Sequence, residues 1–252
     1  FLYDIGAVPN AEPYSKRTSH GMILGENGEK MSKSRGNVVN PDDIVNDYGA
    51  DTMRVYEMFI GDFEKAAPWS QSSIKGSKRF LDKVWALYDI LCDEEGYRGA
   101  LEAEFHRTIK KVTDDIESLK MNTAIAALMS LMNSITATGK ITKDEYKTFI
   151  TLLNPFAPHI TEEIWEMCGF EGMLNQAKWP EYDEAKCVDA TVEIVVQING
   201  KIRARLNVAA DITATDAIAL AKEQDAVKAE ISAKTVIKEL YVPKKLVNIV
   251  VK

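Results

Sequence analysis

The apolar positions along the chain fall into three stretches with different periods. From Phe1 to about Pro68 they come in short groups among Gly, Asn, Asp and Pro, the composition of loops around a ligand. Within this stretch Asn40 reads as an N-cap, Pro41 as the first helical position, and Asp42 and Asp43 as acids in the first turn. Gly49 stands where that helix should stop, and Asp51 is placed to cap a second helix over Thr52 to Phe59. Phe1, Leu2 and Ile5 have the spacing of a helix already under way, which leads us to expect a natural chain that begins further upstream.

From about Gln71 to Gly169 the period is helical. Phe80, Leu81, Val84, Trp85, Tyr88 and Leu91 form one stripe, and Phe105, Ile109, Val112, Ile116 and Leu119 a second. Ile125, Leu128, Met129, Met132 and Ile135 form a third, and Tyr146, Phe149, Ile150 and Leu153 a fourth. Pro155 and Pro158 precede a last helix over Ile160 to Met167. Helices of this length with short polar connections predict an antiparallel bundle. Its Met and aromatic stripes are core, and Trp69, Trp85, Trp165 and Trp179 read as core or junction anchors.

After a polar connection, Gly169 to Asp189, the period changes to two. Val192 to Ile198 and Lys201 to Val208 alternate around Asn199-Gly200, the strongest short-range hairpin signal. Alternation puts Ile202, Ala204, Leu206 and Val208 on one face and Lys201, Arg203, Arg205 and Asn207 on the other. A helix from Thr215 to Ile231 and strands over Val236 to Val242 and Leu246 to Val251 complete a small α+β domain. The expected architecture is multidomain and mainly α, divided at 1–68, 69–189 and 190–252.

Composition narrows the class. With 46% hydrophobic and 27% charged residues this is ordinary globular protein, and no apolar run approaches the roughly 18 residues of a membrane span. No signal-peptide pattern opens the chain. Cys92, Cys168 and Cys187 are scattered and lack Cys or His neighbours at zinc spacing, so we expect no structural metal, reduced thiols and a cytoplasmic setting. The net charge of −7 speaks against a nucleic-acid binder, but the part from Ala190 onward carries 10 basic against 7 acidic residues. A modest surplus of this kind says where to look for phosphate contacts.

The chemistry of greatest interest lies between Gly25 and Asn37, a glycine-bracketed loop with Lys30 and Lys33 among the hydroxyls of Ser32 and Ser34. A triphosphate that loses pyrophosphate builds negative charge on its oxygens. Lysines, hydroxyls and backbone N–H groups on a closing loop would stabilise that charge as it develops. By spacing alone, a solvated basic turn explains the same residues.

The string itself adds more. Lys30-Met31-Ser32-Lys33-Ser34 resembles, letter for letter, the KMSKS signature of class I aminoacyl-tRNA synthetases. Arg35 to Val45 and Tyr48 to Arg54 resemble the segment after that signature in the Leu/Ile/Val/Met branch. Leu152 to Trp165, reading LLNPFAPHITEEIW, resembles the hallmark of that branch's helical anticodon-binding-type domain. His20 to Leu24, Pro68 to Ser72 and Val196 to Arg205 are most similar to the bacterial leucyl type, although Gln71 stands where an acid is expected. The same portion of a valyl, isoleucyl or methionyl enzyme remains an alternative, as does a tRNA-binding split subunit without catalysis. The zinc-binding cysteines expected of isoleucyl enzymes and the coiled-coil arm of valyl ones are not seen.

The resemblance implies the end of a class I catalytic core with its KMSKS loop, then an anticodon-binding-type bundle, then a small domain that touches tRNA. It implies that Lys30 and Lys33 stabilise the phosphates of ATP during leucyl-adenylate formation, Lys33 by direct contact. Met31 would pack the loop, Ser32 and Ser34 would donate hydrogen bonds, and Arg35 would form a structural ion pair. Mg2+ would accompany the ATP, and the partners would be leucine and tRNA(Leu), with the enzyme a monomer. Lys201, Arg203, Arg205, Lys244 and Lys245 are the candidates for tRNA phosphate contacts. His20 is expected to pack near the nucleotide site, His106 to lie at the surface, and His159 to bond locally at a helix start. No HIGH signature and no editing domain occur in the sequence, so the chain alone is not expected to form leucyl-adenylate.

Overall fold

The first helix begins where capping chemistry puts it. In the computed structural model, which describes residues 1–12, 14–99, 101–187, 191–209, 212–232 and 234–252, α1 spans Pro41–Tyr48 and Asn40 accepts the Asp42 N–H. Gly49 ends it and α2 follows over Ala50–Phe59. A short parallel pair, β1 (Ile23–Leu24) and β2 (Ala67–Pro68), brackets these helices. Then come α3 (Gln71–Ala86), β3 (Leu91–Cys92), α4 (Glu102–Glu117) and α5 (Met121–Thr138). β4 (Ile141–Thr142) pairs in parallel with β3 and leads into α6 (Lys143–Leu153) and α7 (Pro158–Met167).

The chain divides into two compact units, 1–101 with 107–182 and 102–106 with 183–252. The boundary expected after Asp189 lies outside the described residues. In the first unit the helical stripes bury as the pattern predicts: Ile125, Leu128, Ile135, Tyr146, Phe149, Ile150 and Leu153 are all fully buried. Each such side chain contributes about 1.5–3 kcal/mol of transfer free energy. Trp85 is a correction, being 41% exposed. The buried face of α3 runs through Ile74, Phe80, Leu81 and Val84, and Trp85 stands one residue, about 100°, beyond it. Asp51 is a second correction. It caps nothing on its own helix but lies inside α2's first turn, 8% exposed, and reaches a different helix.

That reach clasps two of the sequence signatures together. Asp51 Oδ2 accepts the Ile160 N–H at 2.7 Å, and Oδ1 takes His159 Nδ1 at 2.7 Å. Ala157, at the N-cap of α7, offers no side-chain cap, so the Asp51 carboxylate serves the helix start from outside. One turn along α2, Arg54 donates from Nη2 to the Pro155 carbonyl at 2.9 Å and from Nε to that of Phe156 at 3.3 Å. His159 therefore sits at a helix start as expected, but its bond spans 108 residues of sequence and is not local. Elsewhere in this unit a capping box, Thr142 with Glu145, opens α6. The same fully buried Glu145 accepts the Arg98 backbone N–H at 2.9 Å and Nε at 2.8 Å, which satisfies a carboxylate that would otherwise be costly to bury.

Phe1 to Ile5 form turns, not a helix, and Phe1 is 87% exposed. A few apolar residues cannot sustain a helix without packing against something. His106, expected at the surface, is buried at 6% exposure, with Nδ1 accepting the Asp183 N–H at 3.1 Å.

The second unit has four strands: β5 (Thr191–Ile198), β6 (Lys201–Ala209), β7 (Val236–Val242) and β8 (Leu246–Val251), in the order β6-β5-β8-β7. Asn199 and Gly200 turn the first hairpin with φ of 49° and 79°, as a type I′ turn requires. β5 and β8 are parallel, so helices α8 (Ala214–Glu223) and α9 (Asp225–Ile231) make the crossover. The single helix expected over Thr215 to Ile231 breaks at Gln224, whose ψ is 132°. A straight continuation from Ala217 and Ala221 would turn Asp225 and Lys228 to the core, whereas the break brings Val227 there.

The alternation expected along β6 also fails at one point. Val196 pairs with Ala204 but Gln197 pairs with Ile202, so Arg203 is an extra, bulged residue. The bulge shifts the phase, and Ile202, assigned to the buried face, is 55% exposed. We expect Asp51→Ala to lower the unfolding free energy by about 1–3 kcal/mol, because it strands the Ile160 N–H. Asp51→Asn, which keeps an acceptor oxygen, should lose less, and denaturant titration of the two variants checks the order.

Candidate functional site

The loop between Gly25 and Asn37 is framed by its own backbone before any side chain acts. Gly25 donates to the Glu29 carbonyl at 2.8 Å, closing a turn at Asn27 and Gly28. Beyond it, Lys33–Arg35 make one 3-10 turn, ended by Gly36 in the left-handed region at φ 64°, which reverses the chain. Met31 is half-buried and packs on the cluster of Ile44, Tyr56, Trp69 and Ile74, so the loop has an apolar foot. That floor is firm. Tyr56 and Trp69 meet edge to face at 4.9 Å, Tyr56 accepts the Ser70 N–H at 2.7 Å, and burial pushes its hydroxyl pKa up.

Most of the remaining polar side chains of the loop bond within it, to one another or to its backbone. Ser32 and Ser34 hydroxyls lie 2.8 Å apart, Arg35 pairs with Glu29 at 2.9 Å, and Asn37 Oδ1 accepts the Ser32 N–H at 2.8 Å. Lys30 and Lys33 differ from all of these. Both are exposed, and among the described residues no carboxylate lies within ion-pair reach of either. Behind the loop is a recess of about 520 Å3 lined by Glu26, Gly36, Asn37, Trp69 and Gln71. Gln71, in the place of the expected acid, accepts from the Trp69 indole at 3.2 Å and donates to Tyr48 and Glu26. A larger recess of about 760 Å3, between residues 16–20 and 117–120, holds neither loop lysine. His20 is exposed, with its ring edge-on to Phe63.

The basic face of the second unit is less uniform than the alternation implies. Arg203, on the bulge, turns to Glu230 of α9 and is bound by it. Arg205 pairs with Glu193 at 2.7 Å, both of them well exposed. Lys244 and Lys245 occupy the β7–β8 turn, just before Leu246, which aligns with Val195 and through it with Arg205. Lys201 lies at the opposite end of β6, beside Ile198. Lys201, Lys244 and Lys245 are exposed with no carboxylate in ion-pair reach among the described residues. No three His, Cys, Asp or Glu side chains gather as metal ligands among these residues, and no helix is long and apolar enough to cross a membrane. Cys92 and Cys168 are free thiols.

Comparison with known proteins matches both regions. A family described as tRNA synthetases class I (I, L, M and V) matches residues 6–70, and the anticodon-binding domain of tRNA ligase matches residues 99–218. The chain is 56% identical over its whole length to the leucine–tRNA ligase of Alkaliphilus oremlandii. The chain belongs to the class I tRNA synthetases. A solved LeuRS of Agrobacterium radiobacter, in ternary complex with tRNA and LeuAMS, is similar to this synthetase chain over all of its length, with a TM-score of 0.69 and 28% identity. The chain spans about a third of these relatives, 31% of the first and 35% of the second.

The sequence singles out the lysines but not what frames them: Asn37, on the Ser32 N–H and the Lys30 carbonyl, and Glu29, on Arg35. Only the glycine at 36 hinted that the residue after it is turned back on the loop. At the other site, the alternation gave no sign that Arg203 has a carboxylate partner on another element. Its hydrogen bond, with help from Lys234, holds the Glu230 carboxyl at a pKa of about 2, well below the usual 4.5. A folded-state pKa so depressed contributes stability that is present above the unfolded value and is lost as pH falls from about 4.5 through 2. Glu230→Gln is therefore expected to destabilise this unit at neutral pH and to flatten its acid unfolding in that window, as followed by circular dichroism against pH.

Proposed function

We propose that this chain is the KMSKS-bearing, tRNA-contacting part of a leucyl-tRNA synthetase. In the full-length protein the leucine carboxylate attacks the α-phosphorus of ATP and pyrophosphate leaves; a terminal ribose hydroxyl of tRNA(Leu) then attacks the leucyl carbonyl and AMP leaves. One observation carries the reading: Lys30 and Lys33 stand exposed and, among the described residues, without a carboxylate partner, on a loop where Ser32, Ser34, Arg35 and Asn37 are engaged in holding its shape. Two point charges so held suit the charge that develops on the departing pyrophosphate. The donors gathered here, ammonium, hydroxyl and backbone N–H, fit phosphate oxygens and not a cation, so Mg2+ is proposed to arrive with the ATP. The likeness to a LeuRS in complex with tRNA and LeuAMS supports the same reading.

The proposed division of labour assigns residues 1–68 to the nucleotide loop, 69–189 to the helical tRNA-binding domain, and 190–252 to a second tRNA contact. In the last of these Lys244, Lys245 and Arg205 form one group and Lys201 a separate point. Arg203 contributes through its ion pair. We further propose a cytoplasmic, monomeric enzyme, the first resting on the free thiols of Cys92 and Cys168.

In the full-length protein, Lys33→Ala is expected to lower the leucine-dependent exchange of pyrophosphate into ATP by about 10²–10³ in kcat. Unchanged exchange would remove the loop from catalysis. The 252-residue chain by itself is expected to show no exchange, and activity there would overturn its role as one part of a divided site. Replacing both Lys244 and Lys245 by Glu should weaken tRNA(Leu) binding and reduce the slope of log affinity against log salt by about 1–2. An unaltered slope would place the contact elsewhere.

A further inference from the structure

We infer that Asn37 is the positioning residue of the nucleotide loop, one side-chain amide that fixes the peptide groups on both sides of Met31 and so sets the frame from which Lys30 and Lys33 project. The inference rests on the phosphate-stabilising role proposed for those lysines. Asn37 Oδ1 accepts the Ser32 N–H at 2.8 Å, and its Nδ2 donates to the Lys30 carbonyl at 3.4 Å. The amide thus bridges the residue before Met31 and the residue after it, while Met31 itself is anchored in the apolar floor below.

The surroundings are built for this amide. Gly36, at φ 64°, turns the chain so that residue 37 comes back against residues 30–32. Gly25 is buried on the other side, and a Cβ there would stand 3.0 Å from Asn37 Nδ2, close enough to press on the amide by a few tenths of an ångström. No other common side chain replaces it. Asp offers two acceptors and would face the Lys30 carbonyl with like polarity. Ser is too short to reach both groups, and Gln carries its amide one methylene too far. The other links of the loop, Arg35 with Glu29 and Ser32 with Ser34, are exposed and hold its rim.

Each hydrogen bond makes a modest net contribution. That is enough to favour one loop geometry and not enough to lock it, which suits a loop that must close during the reaction. A displacement of the lysines by even about 1 Å can cost on the order of 100-fold in rate. The consequence should fall mainly on the chemical step, because the lysines act most strongly on the additional charge that builds as pyrophosphate departs.

The test uses the full-length protein with Asn37→Ala, Asn37→Asp and Lys33→Ala, each assayed for leucine-dependent pyrophosphate exchange. Asn37→Ala is expected to lower kcat about 10- to 100-fold with the KM for ATP within about threefold of the parent. Asn37→Asp, which keeps the acceptor for Ser32, should lose less. Melting temperature and tRNA(Leu) affinity should hold. As a readout independent of activity, trypsin should cut faster after Lys30, Lys33 or Arg35 in the Asn37→Ala protein. If that variant does not fold, the Asp variant decides by the same kcat and cleavage criteria. If Asn37→Ala keeps kcat within twofold, or loses only ATP KM, while Lys33→Ala loses kcat, this inference falls and the proposed function stands. If neither substitution lowers kcat, the proposed function fails and the inference fails with it.

Discussion

The clasp of Asp51 and Arg54 on the turn between α6 and α7 is the interaction on which the first unit depends. The two side chains lie one helical turn apart on α2 and so point the same way. They meet the end of one helix and the start of the next: Arg54 takes the carbonyls at Pro155 and Phe156, and Asp51 takes the N–H of Ile160. Each charge is matched to the helix terminus it faces, the cation to C-terminal carbonyls and the anion to N-terminal amides. A single helix face thereby satisfies groups that α6 and α7 cannot satisfy for themselves. It also fixes α2 against the bundle, and α2 carries Tyr56, part of the floor on which Met31 stands. The placement of the loop runs back, through that floor, to the clasp.

The loop shows a division between groups that make shape and groups that make charge. Met31 anchors it, Asn37 spans it, Gly36 turns it, and Arg35 neutralises Glu29 at its rim. What remains is a pair of ammonium groups with no carboxylate in ion-pair reach among the described residues. An unpaired exposed lysine is cheap to keep, since water solvates it, yet it answers strongly once water is displaced by a phosphate. The 3-10 turn that carries Lys33 has no buried residue. Segments with so few buried contacts open at little cost, which is the property a closing loop needs.

Much of the architecture was legible from local rules. The Asn40 cap, the Asn199-Gly200 hairpin and the last two strands appear where capping and alternation place them, because their causes lie within a few residues. What was not legible has its cause elsewhere in the chain. Asp51 looked like a cap for its own helix, and its partner lies more than a hundred residues away. The alternation of β6 could not reveal that one residue is bulged, and with that slip Ile202 moved to the exposed side and Arg203 was directed to Glu230. Trp85 shares a helical stripe by spacing but stands just past its buried edge. In the site the motif named the lysines, whereas Asn37 is read only from the distances that tie it to Lys30 and Ser32.

The central claim is that Lys30 and Lys33 act on charge that appears in the transition state and contribute little to holding ATP. The most direct measurement sets two quantities side by side in the full-length protein and its Lys30→Ala and Lys33→Ala variants. These are the affinity for a non-hydrolysable ATP analogue and the single-turnover rate of adenylate formation. The account predicts analogue affinity within about threefold of the parent and a rate lower by about two orders of magnitude. An analogue affinity that falls by the same factor as the rate would contradict it.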